Sequence, residues 1–238
     1  MRSHQSSQNI SDSVDAVAIP TYLEQIYWWA YIHPQAVRFF EREWLINLIL
    51  FGNYSRLRDA AIDEVDQSVV SRTLQVACVY GDLTFRLSEH IAKNGSLDVV
   101  DVLPIQLRNL QQKLTPNANV SLFLRDSTAL GFPDASYDYS IVFFLLHEQP
   151  ADVRRNTLAE VFRTVKPGGK IVLIDYHRPV LWHPLRYLIQ SMLRSFEPYA
   201  LDLWRDELTH YFPIGAKFTN ACKKTYFGGI YQKVVLIR

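Results

Sequence analysis

The chain has 238 residues, of which 48% are hydrophobic, and its formal net charge is +1. This length supports one α/β domain with a sizeable core, and the near-neutral charge excludes the basic excess that nucleic-acid binding requires. Two cysteines far apart, Cys78 and Cys222, give neither a disulfide framework nor metal-ligand spacing, which favours a reducing cytoplasm.

The N-terminal third divides into a tail and a helical segment. The first residues, MRSHQSSQNISDS, are polar and hold no apolar core, so they do not predict a signal peptide, and residues 1–19 predict a flexible tail. Residues 20–66 predict a helical cap that is crowded with aromatic side chains. These side chains suit core packing, and they equally suit an apolar substrate channel or a surface that touches membrane. No segment predicts a membrane-spanning helix.

Residues 67–238 predict an α/β domain. Short strands alternate with helices from Thr73 to Tyr176, which is typical of a doubly wound, mostly parallel sheet. Gly228-Gly229 separates two further strands and predicts a C-terminal antiparallel hairpin, giving seven strands in all. A helical insertion at 178–213 carries one apolar face, which fits either a helix over the sheet edge or a lid over an apolar substrate.

Polar residues follow several predicted strands at the edge where open α/β sheets bind ligands. Asp101 could accept hydrogen bonds from two ribose hydroxyls, and the segment Asp126-Ser127 could read an adenine amino group. The next two strands end in His147-Glu148 and in Asp175-Tyr176-His177. Each acid alone also suits turn chemistry, but their occurrence at successive strand ends indicates a binding site.

The segment VACVYGDLT, residues 76–84, occupies the position of a glycine-rich cofactor turn. It has a single glycine, Gly81, next to the bulky residues Val79 and Tyr80. Glycines in such a turn let the backbone approach a cofactor closely. These side chains therefore either press on a bound cofactor or hold it in another pose.

Three segments resemble class I S-adenosylmethionine-dependent methyltransferases, especially those that act on quinones: LRDSTALGFPDASYDYSIVFFLLHE, LAEVFRTVKPGGKIVLIDYHRP and TYFGGIYQKVVLIR. The resemblance covers roughly residues 70–238 and implies a Rossmann-like fold that binds S-adenosylmethionine. The first motif departs from the family pattern. Gln75 stands where an acid is usual, and Ala77 and Val79 stand where glycines are usual.

The altered motif and the aromatic N-terminal block YWWAYIHPQAVRFFEREWLINLILFGNYSRLRDAA resemble a narrower family, the rhodoquinone biosynthesis enzymes. That resemblance implies conversion of ubiquinone to rhodoquinone, in which an amino group replaces a ring methoxy group. It implies S-adenosylmethionine as the amino donor and Mn²⁺ as a required metal. Amino transfer needs the amino end of the cofactor near the ring, so a changed grip on its methionine end is physically reasonable.

The strand ends and the altered loop predict ten cofactor-binding residues: Gln75, Ala77, Val79, Tyr80, Gly81, Asp101, Val102, Asp126, Ser127 and Phe143. Tyr80 and His147 are the catalytic candidates, with His147 as a general base because imidazole titrates near neutrality. The metal ligands stay open. The candidates at adjacent strand ends are His147, Glu148, Asp175 and His177, with Asp101 and Asp126 in competition.

The expected partners are ubiquinone, as a lipid substrate, and a membrane surface. We expect a cytoplasmic domain resting on the inner membrane through the N-terminal helices and the 181–196 helix, with Arg186 and Arg194 meeting anionic headgroups. Two other functions stay open: an ordinary quinone or phenol methyltransferase, and a non-catalytic scaffold of a quinone-making complex. The oligomeric state also stays open.

Overall fold

A seven-stranded sheet forms the centre of the protein. The computed structural model describes residues 18–28, 39–78, 80–91, 93–115 and 118–238, so the predicted tail falls almost wholly outside the described residues. Within these ranges the strands are β1 Arg72–Val76, β2 Ser96–Asp101, β3 Val120–Leu124, β4 Tyr137–Phe143, β5 Val165–Tyr176, β6 Asn220–Tyr226 and β7 Tyr231–Ile237. Their order across the sheet is β3-β2-β1-β4-β5-β7-β6, which confirms the predicted doubly wound fold.

The sheet is parallel from β3 to β5 and antiparallel beyond β5. β7 pairs with β5 from Lys170–Ile237 to Tyr176–Tyr231, and β6 lies outside it, which confirms the predicted hairpin. On that outer strand, Lys223 and Lys224 are exposed. The segment 166–169, predicted to end a helix, directly follows the helix Ala151–Thr164 and its C-cap Val165, and it also interrupts the pairing of β5 with β4.

Helices cover both faces of the sheet. They are α1 Thr21–Ile26, α2 Glu43–Ile49, α3 Tyr54–Ile62, α4 Leu83–His90, α5 Pro104–Lys113, α6 Ala151–Thr164 and α7 Arg186–Phe196. Successive strand residues point to opposite faces. Ile141 therefore packs with Leu57 of α3 on one face, and Val142 packs with Leu158 of α6 on the other.

The N-terminal helices are fastened to the loop after β1 through Asp82. The Arg58 guanidinium of α3 donates to both Asp82 carboxylate oxygens, at 2.8 and 2.9 Å. The Tyr54 hydroxyl donates to Asp82 at 3.1 Å and accepts from the Asp82 backbone N–H at 2.9 Å. Ahead of α2, Glu41 accepts a hydrogen bond from the Gly81 backbone N–H at 3.1 Å. These bonds hold residues 41–62 against the carboxyl edge of the sheet.

The insertion lies next to the short 3₁₀ helix Leu146–Glu148. The fully buried Arg154 donates to the carbonyl oxygens of Leu146, Gln149 and Tyr199, which ties the two segments together. The predicted apolar face of the insertion is only partly buried. Ile189 and Leu193 are buried, whereas five large apolar or aromatic side chains of the insertion are more than half exposed: Leu181, Trp182, Tyr187, Leu188 and Phe196.

Within the described ranges, no helix is both long enough and apolar enough to span a bilayer.

Gly81 provides a test of how closely α3 approaches the β1 loop. Its φ is +96°, and a Cβ added there would overlap the Tyr54 side chain. Gly168 has a similar φ of +80° but open space around it. We expect Gly81→Ala to lower the free energy of unfolding by about 1–3 kcal/mol more than Gly168→Ala, because only the first substitution adds an overlap to the backbone strain. Urea denaturation measures both variants, and equal losses would contradict the close approach.

Candidate functional site

A cavity of about 400 Å³ lies beyond the carboxyl ends of β1, β2 and β4, a volume suited to a small molecule. Residues of the α/β core line one side: Ala77, Cys78, Tyr80, Val100, Asp101, Val102, Leu103, Gln106, Arg125, Asp126, Ser127, Phe143, Phe144, Leu145, His147, Glu148 and Tyr176. The N-terminal segment and the insertion line the other side: Pro20, Tyr22, Leu23, Phe40, Ile46, Ile49, Leu50, Tyr54, Met192, Phe196 and Glu197.

In the loop after β1, Ala77 adopts a backbone conformation that glycine usually adopts. Ala77 has φ +69°, a left-handed conformation that costs an ordinary residue about 1–2 kcal/mol. Its N–H donates to Val100 O at 2.9 Å, and its carbonyl accepts from the Gln75 side-chain amide at 3.0 Å. The backbone at Ala77 is therefore shaped by its neighbours, and Ala77, Cys78 and Tyr80 line the cavity.

Tyr80 lines the cavity as part of an aromatic pair. Its ring stacks on Phe40 at a centroid distance of 6.0 Å, and its hydroxyl accepts a hydrogen bond from the Gln106 amide at 3.0 Å. Burial raises the pKa of Tyr80 well above its usual range. The phenol therefore keeps its proton at neutral pH and can orient a ligand or donate a hydrogen bond.

Asp101 at the end of β2 faces the cavity with its carboxylate already engaged. One oxygen accepts from the Leu103 N–H at 2.8 Å, and the other accepts from the Cys78 N–H at 2.9 Å and the Cys78 thiol at 3.2 Å. Burial raises the pKa of Asp101 despite these donors. The Val102 backbone N–H is a further donor, so these groups match the roughly four acceptor positions of a carboxylate, and a ligand hydroxyl would have to share one of them.

The segment after β3 forms a second polar wall. Asp126 accepts from the Thr128 N–H at 2.7 Å and from the Thr128 hydroxyl at 2.8 Å. The Ser127 hydroxyl lies 2.8 Å from the Thr157 hydroxyl and accepts from the Gln149 amide at 3.1 Å. These bonds fix the two side chains that the sequence predicted for an adenine.

His147 is buried at the β4–β5 side of the cavity. Its Nδ1 lies 2.9 Å from Asp175 Oδ1, and its Nε2 lies 3.8 Å from Glu148 Oε1 and 4.0 Å from Glu197 Oε2. Burial opposes the charged imidazole, but the carboxylates of Asp175, Glu197 and Glu148 outweigh it and raise the pKa of His147 to about 9. The ring is protonated at neutral pH, which favours a proton donor over the predicted general base.

Four predicted residues do not face the cavity, and the structure corrects them. Gln75 is fully buried within β1, where its amide supports Ala77. Gly81 packs under Tyr54. Asp175 is fully buried and accepts from the backbone N–H groups of Leu146, His147 and Tyr176. His177 turns away to bond Gly229 O at 2.8 Å and lines a separate surface hollow. Val79 lies outside the described residues.

The four metal candidates therefore do not converge. His147 and Glu148 face the cavity, but Asp175 lies behind His147 and His177 lies elsewhere. In the described part of the chain, no group of three or more His, Cys, Asp or Glu side chains is arranged to hold a metal ion. These residues do not fit the Mn²⁺ site that the resemblance implied.

Sequence reasoning missed Glu197 and Tyr22. Both reach the cavity from segments outside the alternating strands and helices, so neither residue follows a predicted strand, which was the pattern used to find candidates. Burial raises the pKa of Glu197 while the nearby His147 charge opposes that shift. With Asp101, Asp126 and Glu148, it makes the cavity rich in carboxyl groups, which suits a ligand with positive charge.

Two demethylmenaquinone methyltransferases are similar in sequence to most of the chain. A demethylmenaquinone methyltransferase of Geobacillus sp. (strain WCH70) is 26% identical over 180 residues, which cover 70% of this chain and 75% of that protein. A demethylmenaquinone methyltransferase of Staphylococcus epidermidis (strain ATCC 35984) is 30% identical over 152 residues, covering 64% of this chain and 61% of that protein.

Solved structures show the same fold. Human N-acetylserotonin methyltransferase in complex with SAM has a TM-score of 0.62 at 16% identity, covering 92% of this chain and 60% of that one. The PH0226 protein from Pyrococcus horikoshii OT3 has a TM-score of 0.60 at 16% identity, covering 92% of this chain and 99% of that one.

The family model of the ubiE/COQ5 methyltransferases matches residues 41–211, from Glu41 before α2 to the end of the insertion. Because that match spans most of the chain and nearly all of the cavity, the protein belongs to the ubiE/COQ5 methyltransferase family.

Proposed function

We propose that the protein is an S-adenosylmethionine-dependent transferase that converts ubiquinone to rhodoquinone by replacing a ring methoxy group with an amino group. The family match and the named relatives support an S-adenosylmethionine-dependent enzyme that works on quinones. The cavity supports it as well, because a volume of about 400 Å³ at the carboxyl edge of the sheet leaves space for a nucleoside.

The chain offers a group for each part of the cofactor. Asp101 would accept from a ribose hydroxyl, and Asp126 with Ser127 would face the adenine. Ala77 and Tyr80 would border the methionine end, whose positive charges suit the acidic cavity. When bound, S-adenosylmethionine would supply the amino nitrogen for the ring.

The environment of His147 is the observation that carries the choice of reaction. Methylation of a hydroquinone ring requires a base that removes a phenol proton, whereas substitution on a quinone requires stabilisation of the charge that develops on a carbonyl oxygen. His147 is ion-paired with Asp175 and flanked by Glu148 and Glu197, so it is suited to donate a proton and not to accept one. This favours amino substitution.

Because the predicted metal candidates do not converge, no step of the proposed reaction is assigned to Mn²⁺.

Ring methylation is the second candidate. It is favoured by the relatives, which are named demethylmenaquinone methyltransferases. The third possibility, a scaffold without cofactor binding, predicts no heat of binding with S-adenosylmethionine in calorimetry. The open cavity beside Ala77 and Tyr80 favours the two enzymes over the scaffold.

We also propose that the protein works at the cytoplasmic face of the inner membrane, where its lipid substrate resides. Ile49 and Phe196 both line the cavity and are exposed, by 38% and 56%, so they mark its mouth. Further exposed apolar side chains occur on the two segments that form this mouth: Trp28, Phe39, Trp44, Leu48, Leu181, Trp182, Tyr187 and Leu188. Tyrosine and tryptophan favour the membrane interface.

Isotope transfer tests the reaction. The enzyme is incubated with a short-tailed ubiquinone and S-adenosylmethionine carrying ¹⁵N in its amino group and ¹³C in its methyl group, with and without Mn²⁺. We expect the quinone product to carry ¹⁵N and to have lost a methoxy group, as read by mass spectrometry. A parallel incubation with a reduced quinone that lacks its ring methyl group tests the alternative, and a ¹³C-labelled product there would establish ring methylation. Cofactor binding with neither product would remove both activities.

The control variant for this assay is Asp101→Asn. Because one carboxylate oxygen is replaced by an amide nitrogen that cannot accept a hydrogen bond, we expect cofactor affinity to fall about tenfold. Calorimetry measures the affinity, and an unchanged value would remove Asp101 from the cofactor site.

Vesicle flotation tests the membrane proposal. We expect the double variant Leu181→Ser/Trp182→Ser to bind anionic vesicles at least about tenfold more weakly, because both side chains lose apolar contact with lipid. The matched control is Val69→Ser/Val70→Ser, since these exposed valines precede β1 at the opposite edge of the sheet. Equal binding by both variants and the parent protein would contradict this surface.

A further inference from the structure

The cavity contains a buried acid–base pair of which the sequence predicted only one member, His147. His147 reaches it from the 3₁₀ helix after β4, and Glu197 reaches it from the end of α7 in the insertion. We propose that these two residues act together: His147 donates its Nε2 proton to a carbonyl oxygen of the quinone, and Glu197 keeps the imidazole charged for that step. This inference rests on the proposed function and assigns the part of the cavity that binds the quinone ring.

The geometry separates the two nitrogens of the His147 ring. Nδ1 lies 2.9 Å from Asp175 Oδ1, an ion-pair contact without hydrogen-bond alignment, and Asp175 is itself fixed by three backbone N–H groups. His147 lines the cavity, and the carboxylate oxygens of Glu148 and Glu197 lie 3.8 and 4.0 Å from Nε2, beyond hydrogen-bond distance. The Nε2 proton is therefore attracted by two carboxylates while remaining available to a ligand oxygen.

Charged and aromatic groups face this ring from each element packed around it. Asp175 comes from β5, Glu148 from the 3₁₀ helix, and Glu197 from α7. The rings of Phe144 and Tyr176 contact His147 edge-on at 6.0 and 4.9 Å. Three carboxyl groups outweigh the burial and favour the imidazolium, consistent with a His147 pKa of about 9.

The position of the pair suits the quinone and not the nucleoside. Asp101 and Asp126 lie at the ends of β2 and β3, on one side of the switch point between β1 and β4. His147 and Asp175 lie at the ends of β4 and β5, on the other side. A nucleoside held by the first pair leaves the His147 side for the second reactant.

The proposed step is a substitution that balances without an oxidant. A primary amine nitrogen attacks the methoxy-bearing ring carbon, and the π electrons of the conjugated carbonyl move to its oxygen. That oxygen takes the proton from Nε2, leaving the N–H electron pair on the imidazole. The proton returns to His147 as the carbonyl re-forms, and methoxide leaves with a proton from the amine as methanol. This step ends at a secondary amine in which the nitrogen joins the ring to the donor's carbon skeleton, and the later cleavage of the donor's C–N bond, which frees the amino group, is not assigned to His147.

Infrared difference spectroscopy tests the contact without turnover. A short-tailed ubiquinone labelled with ¹³C at one ring carbonyl is bound to the protein with no amino donor present. We expect the carbonyl band of the bound quinone to shift to lower frequency, because a charged hydrogen-bond donor polarises the C=O bond. His147→Gln should abolish most of the shift and Glu197→Gln should reduce it, whereas Glu89→Gln, an exposed acid of α4, should leave it unchanged.

The outcomes separate this inference from the proposed function. An identical shift in the parent protein and in His147→Gln, at unchanged quinone affinity, would overturn the His147 contact. A quinone that does not bind would overturn both proposals. A His147-dependent shift in a protein that forms no aminoquinone would support the pair and reject amino transfer.

The pH dependence of turnover tests Glu197 as a positioning residue. Because His147 must carry its proton, activity should fall as the pH rises through about 9, the pKa of His147. In Glu197→Gln, which removes the Glu197 charge, this fall in activity should occur about one pH unit lower. If activity falls at the same pH in Glu197→Gln and in the parent protein, the role of Glu197 is overturned.

We expect His147→Gln to lower kcat about 10²–10³-fold with little change in KM.

Stability provides a readout apart from activity. The folded-state pKa of His147, about 9, is raised above the ordinary 6.5, so its stabilising contribution is complete below pH 6.5 and is lost as the pH rises through about 9. We therefore expect the difference in free energy of unfolding between the parent protein and His147→Gln to shrink across that range. A difference that is constant with pH, or that grows as the pH rises, would show that the pKa of His147 is not raised in the folded protein.

Discussion

The buried carboxylate of Asp175 is the constraint on which the site depends. It is fully buried in the sheet, where a charge is tolerated only if donors surround it. Its oxygens accept the backbone N–H groups of Leu146 and His147, which brings the chain after β4 into a 3₁₀ turn. The charge of the carboxylate is balanced by the His147 ring, whose Nδ1 lies 2.9 Å from it. One buried acid thus sets both the path of this loop and the orientation of the side chain that enters the cavity.

The strands and most of the cofactor side of the cavity were predictable from the sequence. Runs such as YDYSIVF must be buried on both faces, and parallel strands bring Asp101 and Asp126 to one edge. Of the ten predicted cofactor-binding residues, seven line the cavity: Ala77, Tyr80, Asp101, Val102, Asp126, Ser127 and Phe143. The two errors among the described residues, Gln75 and Gly81, have local causes: β1 ends at Val76, which leaves Gln75 inside the strand, and Gly81 accommodates Tyr54.

The far wall of the cavity was not predictable in the same way. It comes from residues 20–54 and from the insertion, whose placement depends on long-range contacts and not on strand alternation. Asp82 accepts donors from both Tyr54 and Arg58, yet it reads in the sequence as an ordinary turn residue. Glu197 reads as a surface acid at the end of a helix. Periodicity identifies the elements, whereas these connections decide which charges face one another across the cavity.

The free edge of β6 has a consequence for how this protein behaves when many copies are crowded together. An uncovered outer strand offers backbone groups that a second molecule can pair with, which is a common route to aggregation. Here Lys223 and Lys224 stand exposed in the middle of that strand. Pairing two such edges would bring the lysines of both strands together, and among the described residues only Lys223 of the two is balanced by a neighbouring acid, Glu207. Neighbouring molecules concentrated on one surface would therefore repel each other along this side and stay dispersed.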